Sequence, residues 1–188
     1  MKLFDLKCLR DLSLGRLLLA FAALAAMALP RPAVAQFTVT SQATLLDRIQ
    51  IEDLLINYYG SLGSGGEDMA QFYTEDAVLD VNGLIYTGKK AIQGAYTQTP
   101  SASAPAPRGK FHMLMSNPKI VVHGDSAVAD VIWTGIISDT VKAPPRLVEQ
   151  GREHDELVKR GGRWLLQKRV ITSDGGLPEF YEKTYRDR

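Results

Sequence analysis

Cysteine is nearly absent. Cys8 is the only one in 188 residues. The chain therefore has no pair for a disulfide and, past its start, no thiolate nucleophile or cysteine-ligated metal. Histidine is scarce too: His112, His123 and His154 are the whole set. They are scattered, with no His-x-x-x-His and no clustered carboxylates, which argues against a zinc or iron site. Charge of one sign is also lacking. A formal net of +1 gives no electrostatic footprint for a nucleic acid. No glycine-rich loop joins a strand to a helix, and no serine sits in a Gly-x-Ser-x-Gly elbow. A dinucleotide fingerprint and a nucleophile elbow are thereby excluded. The apolar run Leu17–Leu29 falls short of the ~20 residues a membrane-spanning helix needs.

That run has a place in an ordered segment. Lys2, Lys7, Arg10 and Arg16 precede it, and Ala33-Val34-Ala35 follows it before Gln36. A basic start, an apolar stretch and a small-x-small site make a secretory signal peptide. Arg16 has no arginine neighbour, so a twin-arginine signal is not supported. Residues 1–35 read as the signal and 36–188 as one exported domain with a short C-terminal tail, periplasmic or secreted and not held in the membrane once processed. Lys2, Lys7, Arg10, Arg16 and Arg31 leave with the signal against Asp5 and Asp11. The remainder is slightly acidic.

After the arm Gln36–Ser41, apolar residues Leu45, Ile49, Leu55 and Tyr59 recur at helical steps, with Ser41 or Thr44 as a cap. Gly60, Gly63, Gly65 and Gly66 end that helix. A short helix is expected around Met69–Tyr73. Ala77–Val81 and Leu84–Thr87 flank Asn82-Gly83, a strong hairpin signal because both turn residues need positive φ. A third helix runs Lys89–Tyr96, and Gln98–Lys110 is a Pro/Ala/Ser-rich connection. Four long strands follow: Phe111–Val122, bent near Asn117-Pro118, then Ser126–Ser138, Leu147–Lys159 and Trp164–Thr172. Helices first and antiparallel strands later predict an α+β fold with helices on one face of a bent sheet.

Four stretches in register resemble the SnoaL-like branch of the nuclear transport factor 2-like superfamily. They are Ile51-Glu52-Asp53-Leu54-Leu55; Phe72 through Ala77; His112–Asn117 leading to Gly124-Asp125-Ser126-Ala127; and Asp155–Val158 through Gly162-Arg163-Trp164. The resemblance spans roughly Leu45–Ile171. It implies a cone: a curved antiparallel sheet wrapped by three N-terminal helices around one central pocket. Family members include scytalone dehydratase, dehydrochlorinase, ketosteroid isomerase, polyketide cyclases, aromatic formaldehyde lyases and non-catalytic binding domains. The enzymes usually work without metal or organic cofactor, and dimers or trimers are usual.

The resemblance places His112 on the position of a general base, Arg169 on an arginine facing the leaving group, and Tyr58 where a helix-1 phenol reaches the pocket. It also exposes a departure: the acid that orients the histidine is replaced by Gly63. Read from the residues, His112 in Phe111-His112-Met113-Leu114-Met115 is either a base tuned by burial or a core histidine bonded to backbone. Glu153 and Asp155 share the face of Leu157, so either a carboxylate there takes over the missing acid's role or both serve in cross-strand ion pairs. His154 faces the other way. His123 belongs to a solvated turn, Asp53 to the structure of helix 1, and Asp80 leans to solvent. Tyr58, Tyr59, Tyr73, Tyr86 and Trp133 are expected to line a site for an aromatic ligand. The facing of Arg169 depends on bulges that the sequence does not show. The expected activity is a cofactor-independent lyase removing water, formaldehyde or another small group from a hydrophobic, aromatic substrate. The alternatives are a binding or assembly domain, or an isomerase or cyclase.

Protein recovered from the cell envelope should begin at Gln36 by intact-mass measurement. A full-length form held in the cytoplasm would contradict the signal-peptide reading.

Overall fold

The computed structural model describes residues 41–62, 68–98 and 110–187. The signal segment and Gly63, the place of the missing acid, lie outside them. Helix α1 spans Gln42–Leu62. Ser41 starts it, its hydroxyl 3.3 Å from the Thr44 amide, which satisfies a donor that a helix end otherwise leaves open. Ile51, Leu55, Tyr58 and Tyr59 form its buried face, while Leu45, Leu46, Ile49 and Ile56 are exposed. The expected short helix is a single 3₁₀ turn, Met69–Phe72. Strands β1 (Tyr73–Val81) and β2 (Leu84–Thr87) form the hairpin, with Asn82 and Gly83 at φ 52° and 88° as the Asn-Gly pair requires. Helix α2 covers Lys89–Gln98. Gln93 ties it to the 3₁₀ turn by accepting the Ala70 amide at 3.0 Å.

Strands β3 (Lys110–His123), β4 (Ser126–Ser138), β5 (Arg146–Arg160) and β6 (Arg163–Gly175) form a meander. The curved, open sheet has the order β2-β1-β6-β5-β4-β3. All pairs are antiparallel except β1–β6, which is parallel. The reason is topological: the chain crosses from the hairpin to the far edge, and the meander brings β6 back beside β1.

Two bulges decide which side chains face the helices. In β3 the pairing slips by one residue between Ser116 and Lys119, where Asn117 takes φ 50° before Pro118. The slip reverses the alternation, so Met113 and Met115 before it and Ile120 and Val122 after it all pack on the core. In β6 the pairing jumps from Leu166 to Lys168. Gln167 is the extra residue, and Trp164, Leu166 and Arg169 are all buried.

Helix α1 is fastened to the β5–β6 end by one oxygen. Asp47 Oδ1 accepts Lys159 Nζ at 2.7 Å and Trp164 Nε1 at 3.0 Å. The C-terminal segment returns over the hairpin. The Tyr185 hydroxyl donates to the Ser173 carbonyl at 3.1 Å, and Asn82 exchanges bonds with Ser173. Among the described residues, no helix is long and apolar enough to cross a membrane.

Gly83 has positive φ, and a Cβ there would overlap the Thr184 carbonyl oxygen. Gly83→Ala should therefore destabilise the fold by at least the ~1–2 kcal/mol of a left-handed non-glycine residue, read as a lower urea midpoint at unchanged m. An unchanged midpoint would show that the turn and tail relax freely.

Candidate functional site

Strand β5 turns Gly151, Glu153, Asp155 and Leu157 inward, and all four are buried. Asp155 pairs directly with Arg169 across the β5–β6 ladder. The Gln167 bulge turns Arg169 to the same side, where it is 0% exposed. Its guanidinium meets Asp155 as a fork, Nε to Oδ1 at 2.7 Å and Nη2 to Oδ2 at 2.8 Å. Nη2 also reaches Glu153 Oε1 at 3.2 Å. The Tyr59 hydroxyl donates to Glu153 Oε2 at 2.6 Å. The guanidinium lies over the Tyr58 ring, 3.8 Å from its centroid. Arg169 Nη1 is buried with no hydrogen-bond partner among the described residues.

One buried cation faces two carboxylates, and a net negative charge in this setting is costly. The strain falls on Glu153. Burial first, and the neighbouring Asp155 charge, push its carboxyl up to about 8 against the pull of Arg169 and Tyr59. Burial alone would lower Arg169, but Asp155 and Glu153 outweigh it and hold the guanidinium charged. Tyr59 and Tyr73 are raised mainly by burial and stay neutral phenols.

The aromatics form a second layer. The Tyr58 ring stands edge-on to Tyr59, Phe72, Tyr73 and Tyr96. Its hydroxyl shares a short hydrogen bond with Tyr96, whose hydroxyl is also 3.0 Å from Tyr73. Trp133 is buried on β4, and Tyr86 is half-buried on β2.

The structure gathers Tyr58, Tyr59, Tyr73, Glu153, Asp155 and Arg169, but not His112. His112 is exposed, sharing the outer face of β3 with Leu114, while Met113 and Met115 point to the core. The Asn117 bulge accommodates inward-facing residues on both sides without bringing His112 in. Glu153 and Asp155 consequently do not orient His112; their partners are Arg169 and Tyr59. Asp80 is another correction. It is buried, and its carboxylate turns back to accept the Gly83 amide at 2.8 Å. His123 is exposed, Asp53 is exposed on α1, and His154 pairs with Asp130 at 2.7 Å on the outer face.

Two members of this interior were missed in the sequence. Tyr96 lies on α2, where Ile92, Ala95 and Tyr96 fall at helical steps and share the face packed on the core; that spacing was the signal. Glu149 continues the Glu153–Asp155 alternation toward the start of β5, and counting back in twos would have found it. Burial raises its carboxyl as well. Among the described residues, no group of three His, Cys, Asp or Glu side chains is arranged to hold a metal ion.

A carboxyl raised on folding binds its proton more tightly in the folded state. Its contribution to stability is full below the unfolded value of 4.5 and is lost as pH rises to about 8. Across that window the wild type should lose stability by up to roughly 1.4 kcal/mol per pH unit from this group. Glu153→Gln should flatten that part of the slope in denaturant unfolding at a series of pH values. Parallel slopes would refute the assignment.

The SnoaL-like domain family matches residues 43–170. Among solved structures, a protein of unknown function from Nostoc punctiforme with a cystatin-like fold is 22% identical, covers 72% of this chain and 96% of its own, and superposes with TM-score 0.61. A protein from Novosphingobium aromaticivorans, provisionally assigned as a scytalone dehydratase, is 20% identical over 70% of this chain and 87% of its own, TM-score 0.57. A nuclear transport factor 2-like protein from the same organism is 16% identical over 97% and 100%, TM-score 0.59. At these identities the likeness is one of fold. No curated protein matches the chain in sequence. With the family match covering most of the described domain, this chain belongs to the SnoaL-like domain family.

Proposed function

We propose that this protein is a cofactor-independent lyase acting on a hydrophobic, aromatic small molecule, with Glu153 rather than His112 as the proton-transfer group. Glu153 takes a proton from carbon, and the C–H electron pair becomes the new double bond. The bond to the small leaving group breaks, and a leaving hydroxyl departs as water with the proton that Glu153 took. Tyr59 and Arg169 steady the carboxylate before and after transfer, and Tyr58 supplies a ring under the guanidinium and a phenol network behind it. The observation that supports this reading is a single one. A buried carboxyl, 2.6 Å from a phenol and 3.2 Å from a guanidinium, is held at about 8. A group balanced near neutrality serves as acid or base without a metal. An isomerase or cyclase would use the same proton step. Export to the periplasm or beyond and assembly as a homodimer or homotrimer complete the proposal.

A binding or assembly domain without turnover is the second reading, and one observation favours it. The fork of Asp155 on Arg169 and the bond of Tyr59 to Glu153 close on themselves, so the cluster can serve the fold alone.

The two readings separate on turnover. Wild type incubated with hydroxyl-bearing aryl ketones should release water, followed by mass spectrometry. Glu153→Gln should lose ~10²–10⁴-fold, the usual worth of a positioned base, while His112→Ala should keep wild-type rates. Undiminished turnover in a folded Glu153→Gln variant, or loss in His112→Ala, would reject the assignment. A wild type that binds these ketones and turns none over would favour the binding reading.

A further inference from the structure

The inner face of β5 runs on past the arginine cluster to a second polar place. Gly151 precedes Glu153 by two residues, and Glu149 precedes Gly151 by two, so all three face inward. Gly151 is a cradle. A Cβ there would lie 2.3 Å from the Thr172 carbonyl oxygen, 2.4 Å from Cζ2 of Trp133 and 2.8 Å from its Cε2, the ring atom bonded to Nε1. The nitrogen edge of the indole therefore lies over Gly151, between the positions of Glu149 and Glu153. Gly135 is the matching cradle on β4, directly opposite Glu149. A Cβ there would stand 2.6 Å from Cγ and 2.9 Å from Oε1 of Glu149, so the carboxyl folds over β4 beside the indole.

Trp133 is 4% exposed, and its Nε1 has no hydrogen-bond partner among the described residues. The other tryptophan differs, since Trp164 gives its N–H to Asp47. A buried N–H with no acceptor is expensive, and indole is a donor only. Glu149 is partly buried, and burial favours its protonated, donating form. Tyr86, Glu149 and Tyr58 each lie near enough to the Tyr181 hydroxyl for their fields to act on it, after burial as the larger cause. Donors and rings are thus present together, and the indole N–H has no acceptor among the described residues.

We propose that the Trp133 indole N–H and the Glu149 carboxyl form an acceptor-binding subsite that receives the carbonyl oxygen of an aromatic ketone, with Tyr86 and Tyr181 beside its ring. The subsite rests on the reading that the interior takes an aromatic small molecule, and it specifies which one: a ring bearing an oxygen acceptor. A ligand of the same shape without that oxygen leaves the indole N–H unfilled.

Acetophenone and ethylbenzene are matched probes, nearly equal in shape and different in the oxygen. The chain has two tryptophans, so a proton–nitrogen correlation spectrum of the wild type shows two indole N–H signals, assigned with Trp133→Phe. Acetophenone should move the Trp133 signal and leave that of Trp164; ethylbenzene should not produce that shift. Trp133→Phe and Glu149→Ala should each weaken acetophenone about 2- to 10-fold, the worth of one hydrogen bond, with ethylbenzene affinity unchanged. Three outcomes would overturn the subsite: equal weakening of both probes, an unmoved Trp133 signal in the wild type, or no binding of acetophenone up to its solubility. The assay involves no turnover. Preference for the ketone with an inactive wild type would reject the proton-transfer chemistry and leave the subsite standing. Turnover without the preference would do the reverse.

Discussion

A guanidinium enclosed in a sheet must find charge and acceptors within its own length, and Arg169 organises the interior by that demand. It is wholly buried, so its desolvation has to be offset locally. Asp155 supplies two parallel bonds from the residue directly opposite in the ladder. This is the geometry in which arginine and a carboxylate pair best. Tyr58 supplies the face of its ring. The bulge at Gln167 is the backbone's share. Without it Arg169 would keep the parity that opposes Trp164 and Leu166, and its charge would face solvent. Breaking such a buried pair by removing one partner typically costs ~3–5 kcal/mol.

The second carboxylate turns a structural ion pair into a chemically poised one. With Asp155 alone the cluster would be neutral and inert. Glu153 adds a negative charge that the guanidinium, already committed to Asp155, only partly answers. Its proton therefore becomes negotiable near neutral pH, while the tyrosines around it remain neutral donors. An interior lined by phenols suits a small-molecule ligand. Polarity and apolarity divide along the strands. Ala127, Leu157, Leu166 and Tyr73 close the end beyond Asp155, and Glu149 with Trp133 lies at the other.

Much of the fold was legible because its signals are local. The Asn82-Gly83 turn, the Ser41 cap and the four long strands each follow from residues adjacent in the chain. The inward facing of Glu153 and Asp155 followed from alternation with Leu157. The parallel β1–β6 pair was not legible, since nothing in either strand marks its neighbour's direction. Bulges were the chief obstacle at the site. His112 sits among apolar residues and on the base position that the family resemblance implies, but side-chain facing in β3 is set by where Asn117 slips the register. Arg169 shows the converse, a charged residue in a polar-looking run of β6 that one extra residue turns into the core. The unpartnered indole N–H of Trp133 has no sequence signature of its own.

The carboxylate of Asp47 joins α1 to the turn between β5 and β6, a span of more than a hundred residues closed on one oxygen. The meander β3–β6, by contrast, is built of neighbours in sequence. Loop-closure entropy penalises the distant contact until its target already exists. Assembly should therefore begin in the C-terminal half, with the helix docking onto a sheet that has already formed. During synthesis, α1 is the first of the described elements to emerge and the last to find its place. Its buried face of Ile51, Leu55, Tyr58 and Tyr59 stays uncovered until the sheet it packs on has been made.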